Sequence, residues 1–216
     1  MAEESPYKFN DAHKKVYEAA MKAVDLKYQT KRTIKHRNAW GPALDVLKDK
    51  EVNHIEEGVD LLTDALIKYR KAAGIPVSED KEDRHRVFSE IYQLLTSEHS
   101  SLLRSLPRGS DPEKLFKTGQ GHLLLTELLK REQVADLDSK IDYELRKVIP
   151  MDADFDFYHG MAHYHASRNP DAHYSKGDLA NLATRDGALG MLRTSYNQAI
   201  ENQIKKAKPK PKEDAK

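Results

Sequence analysis

The chain has 216 residues, with 36 basic and 35 acidic side chains, ten histidines and no cysteine. That length allows one large or two small domains with a real core, while the missing cysteines exclude disulfides, thiolate metal sites and cysteine nucleophiles. Hydrophobic residues at 38% against charged residues at 33% suit thin helical layers with solvated outer faces, so an all-α fold is expected.

Charge is unevenly divided. Residues 1–107 carry 18 basic and 18 acidic side chains, 108–204 carry 12 and 15, and 205–216 carry 6 and 2. A neutral-to-acidic body with a basic tail lacks the broad positive face of a nonspecific nucleic-acid binder, yet leaves room for a few local phosphate contacts. No apolar run approaches the roughly 18 residues of a spanning helix, and the acidic start MAEESPYKFN has no apolar core. The expectation is a soluble, unsecreted, cytoplasmic protein without membrane contact.

In chain order, Ser5-Pro6 is a reasonable helix entry, and Phe9, Ala12, Val16, Ala20 and Val24 recur at helical spacing. This predicts a first helix to about Arg37, broken at Trp40-Gly41-Pro42, with the tryptophan plugging a space between helices. His36-Arg37-Asn38 reads as a polar helix end. Val52, Ile55, Val59, Leu62, Leu66 and Tyr69 form the cleanest amphipathic stripe, stopped by Gly74 and Pro76. Ser78 and the acidic Glu79-Asp80 then open a third helix, carried by Val87, Ile91, Leu94, Glu98 and Leu102 towards Leu106-Pro107. Its Arg84-His85-Arg86 cluster reads as a salt-bridged, solvated face.

Pro107-Arg108-Gly109-Ser110-Asp111-Pro112 collects turn formers and ends in an Asp cap followed by proline, the best candidate boundary. The expected division is a helical region 1–107, a helical domain 108–206 and a disordered basic tail 207–216. Gly119-Gln120-Gly121 lies between helical patterns without the Gly-Lys-Ser/Thr of a nucleotide loop, and reads as a bend. Asp138 or Ser139 is expected to cap a helix through Ile141, Leu145 and Val148, stopped by Pro150. Ser175-Lys176-Gly177-Asp178 reads as a turn and cap before a final helical region from Leu179 to Ile204.

The chemistry gathers between Phe155 and Ser175, which hold four of the ten histidines and three tyrosines. Pro170 lacks an N–H and disfavours helix in the residue before it, so the helix carrying His159 to Ser167 should end near Asn169. Arg168 then sits at a helix C-terminus with His173 just beyond the bend, a fixed cation beside a titrating imidazole, a pairing suited to phosphate chemistry. His159 and His163, four apart on one helical face, form an alternative pair for a transition metal, with His165, His173, Asp154 and Asp156 as further ligands. The glutamate of the metalloprotease pattern is absent, since Gly160 stands there.

Arg168-Asn169-Pro170-Asp171-Ala172-His173 resembles the Arg-x4–6-His motif of the HEPN superfamily, in its Arg-Asn-Pro-x-x-His form. The resemblance covers about the last hundred residues, residues 108–206. It implies a four-helix C-terminal bundle, which the roughly three N-terminal helices read from periodicity precede. It also implies metal-independent RNA cleavage without a cofactor, with His173 as general base or acid, Arg168 stabilising the phosphorane and Asn169 orienting either group. Because one copy supplies one Arg–His pair, a homodimer is implied, along with a possible regulatory protein partner. In the branch silenced by nucleotidylation a tyrosine stands two places after the histidine. Ser175 holds that position here and Tyr174 precedes it, so that regulation is not implied. The competing class is a non-catalytic helical adaptor or assembly subunit whose basic tail docks to an acidic partner or to RNA.

Overall fold

A computed structural model describes residues 7–78, 80–97, 100–107 and 109–207. Among them are ten helices and no strand: α1 (Asp11–Ala23), α2 (Leu26–Leu44), α3 (Ile55–Ala73), α4 (Lys81–Thr96), α5 (Ser101–Ser105), α6 (Pro112–Lys117), α7 (Gly121–Leu145), α8 (Phe155–Arg168), α9 (Lys176–Asn181) and α10 (Arg185–Ala207). None of these helices is long and apolar enough to cross a membrane. Ser5-Pro6, Glu79, Glu98, Arg108 and the basic stretch 208–216 lie outside the described residues.

The chain forms two compact units, one of residues 1–30 with 137–216 and the other of residues 31–136. This division differs from the one expected at Pro107–Pro112, and it falls inside α2 and α7 instead of in loops.

In the 31–136 unit, α3 packs on α4 and α6. Its stripe behaves as the periodicity dictates, with Val59, Leu62, Ala65, Leu66 and Tyr69 buried and Gly74 closing the helix at φ 76°. Gly58 is required by packing, since a Cβ there would lie 2.5 Å from the Phe116 ring. Trp40 packs half-buried against this core. Trp40-Gly41-Pro42 does not end its helix, because α2 continues to Leu44. A proline deletes one helical hydrogen bond, and the buried Ala39 and Ala43 hold the turn on either side. The expected third helix stops earlier, at Thr96, and a short α5 capped by Ser100 follows. Asp111 caps α6 with Pro112 in its first turn, and Gly119, at φ 67°, makes the expected bend into α7.

In the other unit, α8 packs against α1, α9 and α10. The expected long first helix is two helices, because Val24 is extended at ψ 128° and Asp25 accepts from the Tyr28 N–H to start α2. The Tyr196 hydroxyl secures this break, donating to the Ala20 carbonyl at 2.7 Å and accepting from the Val24 N–H at 3.3 Å. The cap expected at Asp138 or Ser139 is also absent, since α7 runs unbroken to Leu145. Between Gly121 and Pro150 the chain has no glycine or proline to interrupt it. Helix α8 buries Tyr158, Gly160, Met161, Tyr164 and His165 around its circumference. Gly160 permits this, because a methyl there would overlap the His13 ring of α1.

Candidate functional site

Helix α8 starts at Asp154, whose carboxylate accepts from the Phe157 N–H, and ends at Arg168 as the proline rule predicts. Asn169 is the C-cap. Its side-chain N–H2 donates to the His165 carbonyl at 2.8 Å, one of the acceptors a helix end leaves open. The Ala172 N–H then returns to the Asn169 carbonyl at 3.0 Å, turning the chain towards α9.

Two adjacent concavities flank this turn within the 1–30/137–216 unit, of about 660 and 680 Å³. Both are lined by Arg168, Asn169, Ser195 and Gln198. Arg168 is exposed, and among the described residues no carboxylate pairs with it. It therefore stands as an uncompensated cation at the negative end of α8. His173 is exposed in the loop before α9 and lines neither concavity. The motif thus brings Arg168 and Asn169 to one wall and sets His173 on the turn beside it.

The histidine that reaches this wall is His165. It is 5% exposed and sits between two tyrosines, with Nδ1 2.8 Å from the Tyr17 hydroxyl and Nε2 3.0 Å from the Tyr174 hydroxyl. Burial holds its pKa below the ordinary value and pushes the Tyr17 hydroxyl up to about 12, against the opposing charge of Arg168 and a hydrogen bond with Ser195. A neutral imidazole has one donor and one acceptor nitrogen, so one tyrosine donates to it and the other accepts. Tyr17 opens on the first concavity and Tyr174 on the second. The result is a hydrogen-bond chain, centred on the buried His165, joining the two.

The histidine pair on the other side of α8 has a different character. His159 and His163 approach to 3.3 Å between their Nε2 atoms, while His163 Nδ1 accepts from the Lys8 N–H at 3.2 Å. That acceptor role puts the His163 proton on Nε2, the atom a metal would need bare, so the pair forms an N–H···N hydrogen bond. Among the described residues no group of three or more His, Asp or Glu is placed to hold a metal ion. The other suggested ligands are dispersed, with Asp154 capping α8 and His165 between its tyrosines.

Comparison with protein-family models, with curated proteins and with solved structures returns no match.

Tyr17, Tyr174, Ser195 and Gln198 join the site without having been singled out for it in the sequence. His165 carried a readable signal, since residues three and four before Arg168 and Asn169 share their helix face. Tyr17, 148 residues away from His165, carried none.

Proposed function

We propose that this protein is a metal-independent endoribonuclease of the HEPN type, acting at the end of α8. The observation that carries the reading is Arg168, an exposed guanidinium without a carboxylate partner among the described residues, lining both concavities at a helix C-terminus. A cation left unpaired beside a cleft is suited to an anionic ligand, and a guanidinium matches phosphate geometry. In this reading the ribose 2′-OH attacks the adjacent phosphorus while the P–O5′ bond breaks, leaving a 2′,3′-cyclic phosphate and a 5′-OH. His173 takes the 2′ proton or returns one to the 5′ oxygen, Arg168 stabilises the phosphorane, and Asn169 orients either of these two groups. A homodimer of HEPN-like bundles would bring a second Arg–His pair to the reaction.

The test is cleavage of labelled RNA in EDTA by the wild type and by Arg168→Ala and His173→Ala. The expected result is cyclic-phosphate ends from the wild type and loss of at least a hundredfold in rate in each variant, in line with the usual 10²–10⁴-fold worth of a proton-transfer group. Cleavage that needs a divalent ion, or that survives both substitutions, overturns the reading. A second reading, a non-catalytic adaptor that binds RNA or a protein, is favoured by the position of His173 outside both concavities. RNA binding without cleavage by the folded wild type would select it.

A further inference from the structure

We infer that the two concavities are the two halves of one binding site for a dinucleoside monophosphate step of a single strand, gripped within one copy of the chain. The inference rests on the reading of Arg168 as a phosphate ligand.

The geometry supplies the argument. The concavities, about 660 and 680 Å³, are separated by a wall they share, and Arg168 stands on that wall. Each is of a size to hold one nucleoside, within the usual range of small-ligand pockets. A phosphodiester joining two nucleosides would therefore fall at the guanidinium. Each half also offers apolar surface suited to a base. Met21 and the rings of Tyr17 and Tyr164 line the first, and Leu182, Met191 and the ring of Tyr174 line the second. Polar edges can be met by Asn202 in the first half and Thr194 in the second.

Charge limits the ligand to a single phosphate. The two linings together contain the cations Arg168 and Lys22 and the anions Glu18 and Asp171, so they sum to zero. Glu18 accepts from the Tyr164 hydroxyl at 3.0 Å, leaving a negative group inside the first half that repels a polyphosphate. A long polyanion gains little here, whereas one phosphate with two bases matches both the charge and the shape. All these residues belong to the 1–30/137–216 unit of one chain, so the grip needs no second copy.

The experiment measures binding of uncleavable dinucleoside monophosphates, one 2′-O-methylated and one 2′-deoxy, and of the corresponding 3′-mononucleotides, by calorimetry on the full chain. The expected result is one ligand per chain at every protein concentration, with the dinucleotide binding at least tenfold more tightly than either mononucleotide. Arg168→Ala should weaken the dinucleotide at least tenfold. Thr194→Trp and Asn202→Trp, at exposed positions on α10, should each reduce the dinucleotide to mononucleotide affinity by filling one half, with circular dichroism and melting to verify the fold. Should either tryptophan variant unfold, Thr194→Leu or Asn202→Leu replaces it. Equal affinity for mono- and dinucleotide, binding that appears only with dimerisation, or indifference to both tryptophans overturns the inference. The ribo and deoxy arms distinguish RNA from DNA as the source of the step. Dinucleotide binding without RNA cleavage leaves this site standing and defeats the nuclease reading. Cleavage unaffected by either tryptophan does the reverse.

Discussion

Each unit buries a histidine against a tyrosine hydroxyl, and the two pairs differ in what stands on the other side of the ring. In the 31–136 unit, His36 Nδ1 lies 2.6 Å from the Tyr69 hydroxyl and Nε2 donates to the Asp136 carboxylate at 2.8 Å, with Arg32 bonding the same carboxylate at 2.6 Å. In the other unit, His165 has a tyrosine on both nitrogens and no carboxylate, and the nearby Arg168 has no acidic partner among the described residues. The first cluster closes on itself, with cation, anion and imidazole mutually satisfied. The second leaves its charge at the rim of a cleft. Similar local chemistry therefore closes on itself in one place and leaves a cation open at a cleft in the other.

Removing the carboxylate should break the closed cluster most severely. Asp136→Ala leaves the buried His36 and the half-buried Arg32 without their anion, and a thermal melt should register a loss of about 3–5 kcal/mol. His165→Phe strips two tyrosine hydroxyls of their partner and should cost about 1–3 kcal/mol, a smaller effect because no charge is stranded. If the two losses prove equal, the distinction between the clusters fails.

Acid sharpens the contrast. His165, His13 and His163 have pKa values held down chiefly by burial, to which repulsion from His159 and Lys8 adds at His163, while Asp154 partly opposes the shift at His13. A histidine with a lowered folded pKa favours the folded state fully above its unfolded value near 6.5, and that support is lost as pH falls from there through the folded value. Asp136 is shifted down as well. Burial alone would raise it, but hydrogen bonds from His36 and Arg32 and the Arg32 charge win. Its support holds above the unfolded value near 3.8 and is lost only below that. Hydrogen exchange at pH 7.5 and 5.5 should therefore show amides of the 1–30/137–216 unit losing protection first. Equal loss in both units would contradict this ordering.

The smallest expected effect on stability belongs to Arg168→Ala. The residue is exposed, so melting should shift by no more than about 0.5 kcal/mol, even as the proposed dinucleotide binding collapses. A large destabilisation would make Arg168 a structural residue and remove the contrast with Arg32.

What could be read from the sequence followed local rules. The α3 stripe, the Gly74 stop, the Asp111-Pro112 entry and the end of α8 before Pro170 each follow from neighbours a few residues apart. The errors have long-range causes. His36 looked like a polar helix end, yet it is fully buried because Asp136, a hundred residues later, bonds it. The break at Val24 is secured by Tyr196, 172 residues away, and the unbroken course of α7 past Asp138 accompanies the pairing of Arg193 with Asp138 and Asp142. The site shows the same division. Arg168 and Asn169 were visible as a motif, whereas the pairing of His165 with Tyr17 depends on how α1 packs on α8.

Asn169 has a directional consequence. Its amide nitrogen donates to the His165 carbonyl at 2.8 Å, so of this exposed residue's two amide atoms it is the nitrogen that is engaged at the helix end. An approaching molecule meets a guanidinium that only donates and an amide oxygen that only accepts. Such a wall sorts ligands by polarity: it welcomes a group that pairs an anionic oxygen with a neighbouring hydroxyl or amine, and a bare anion such as sulfate gains only half of it.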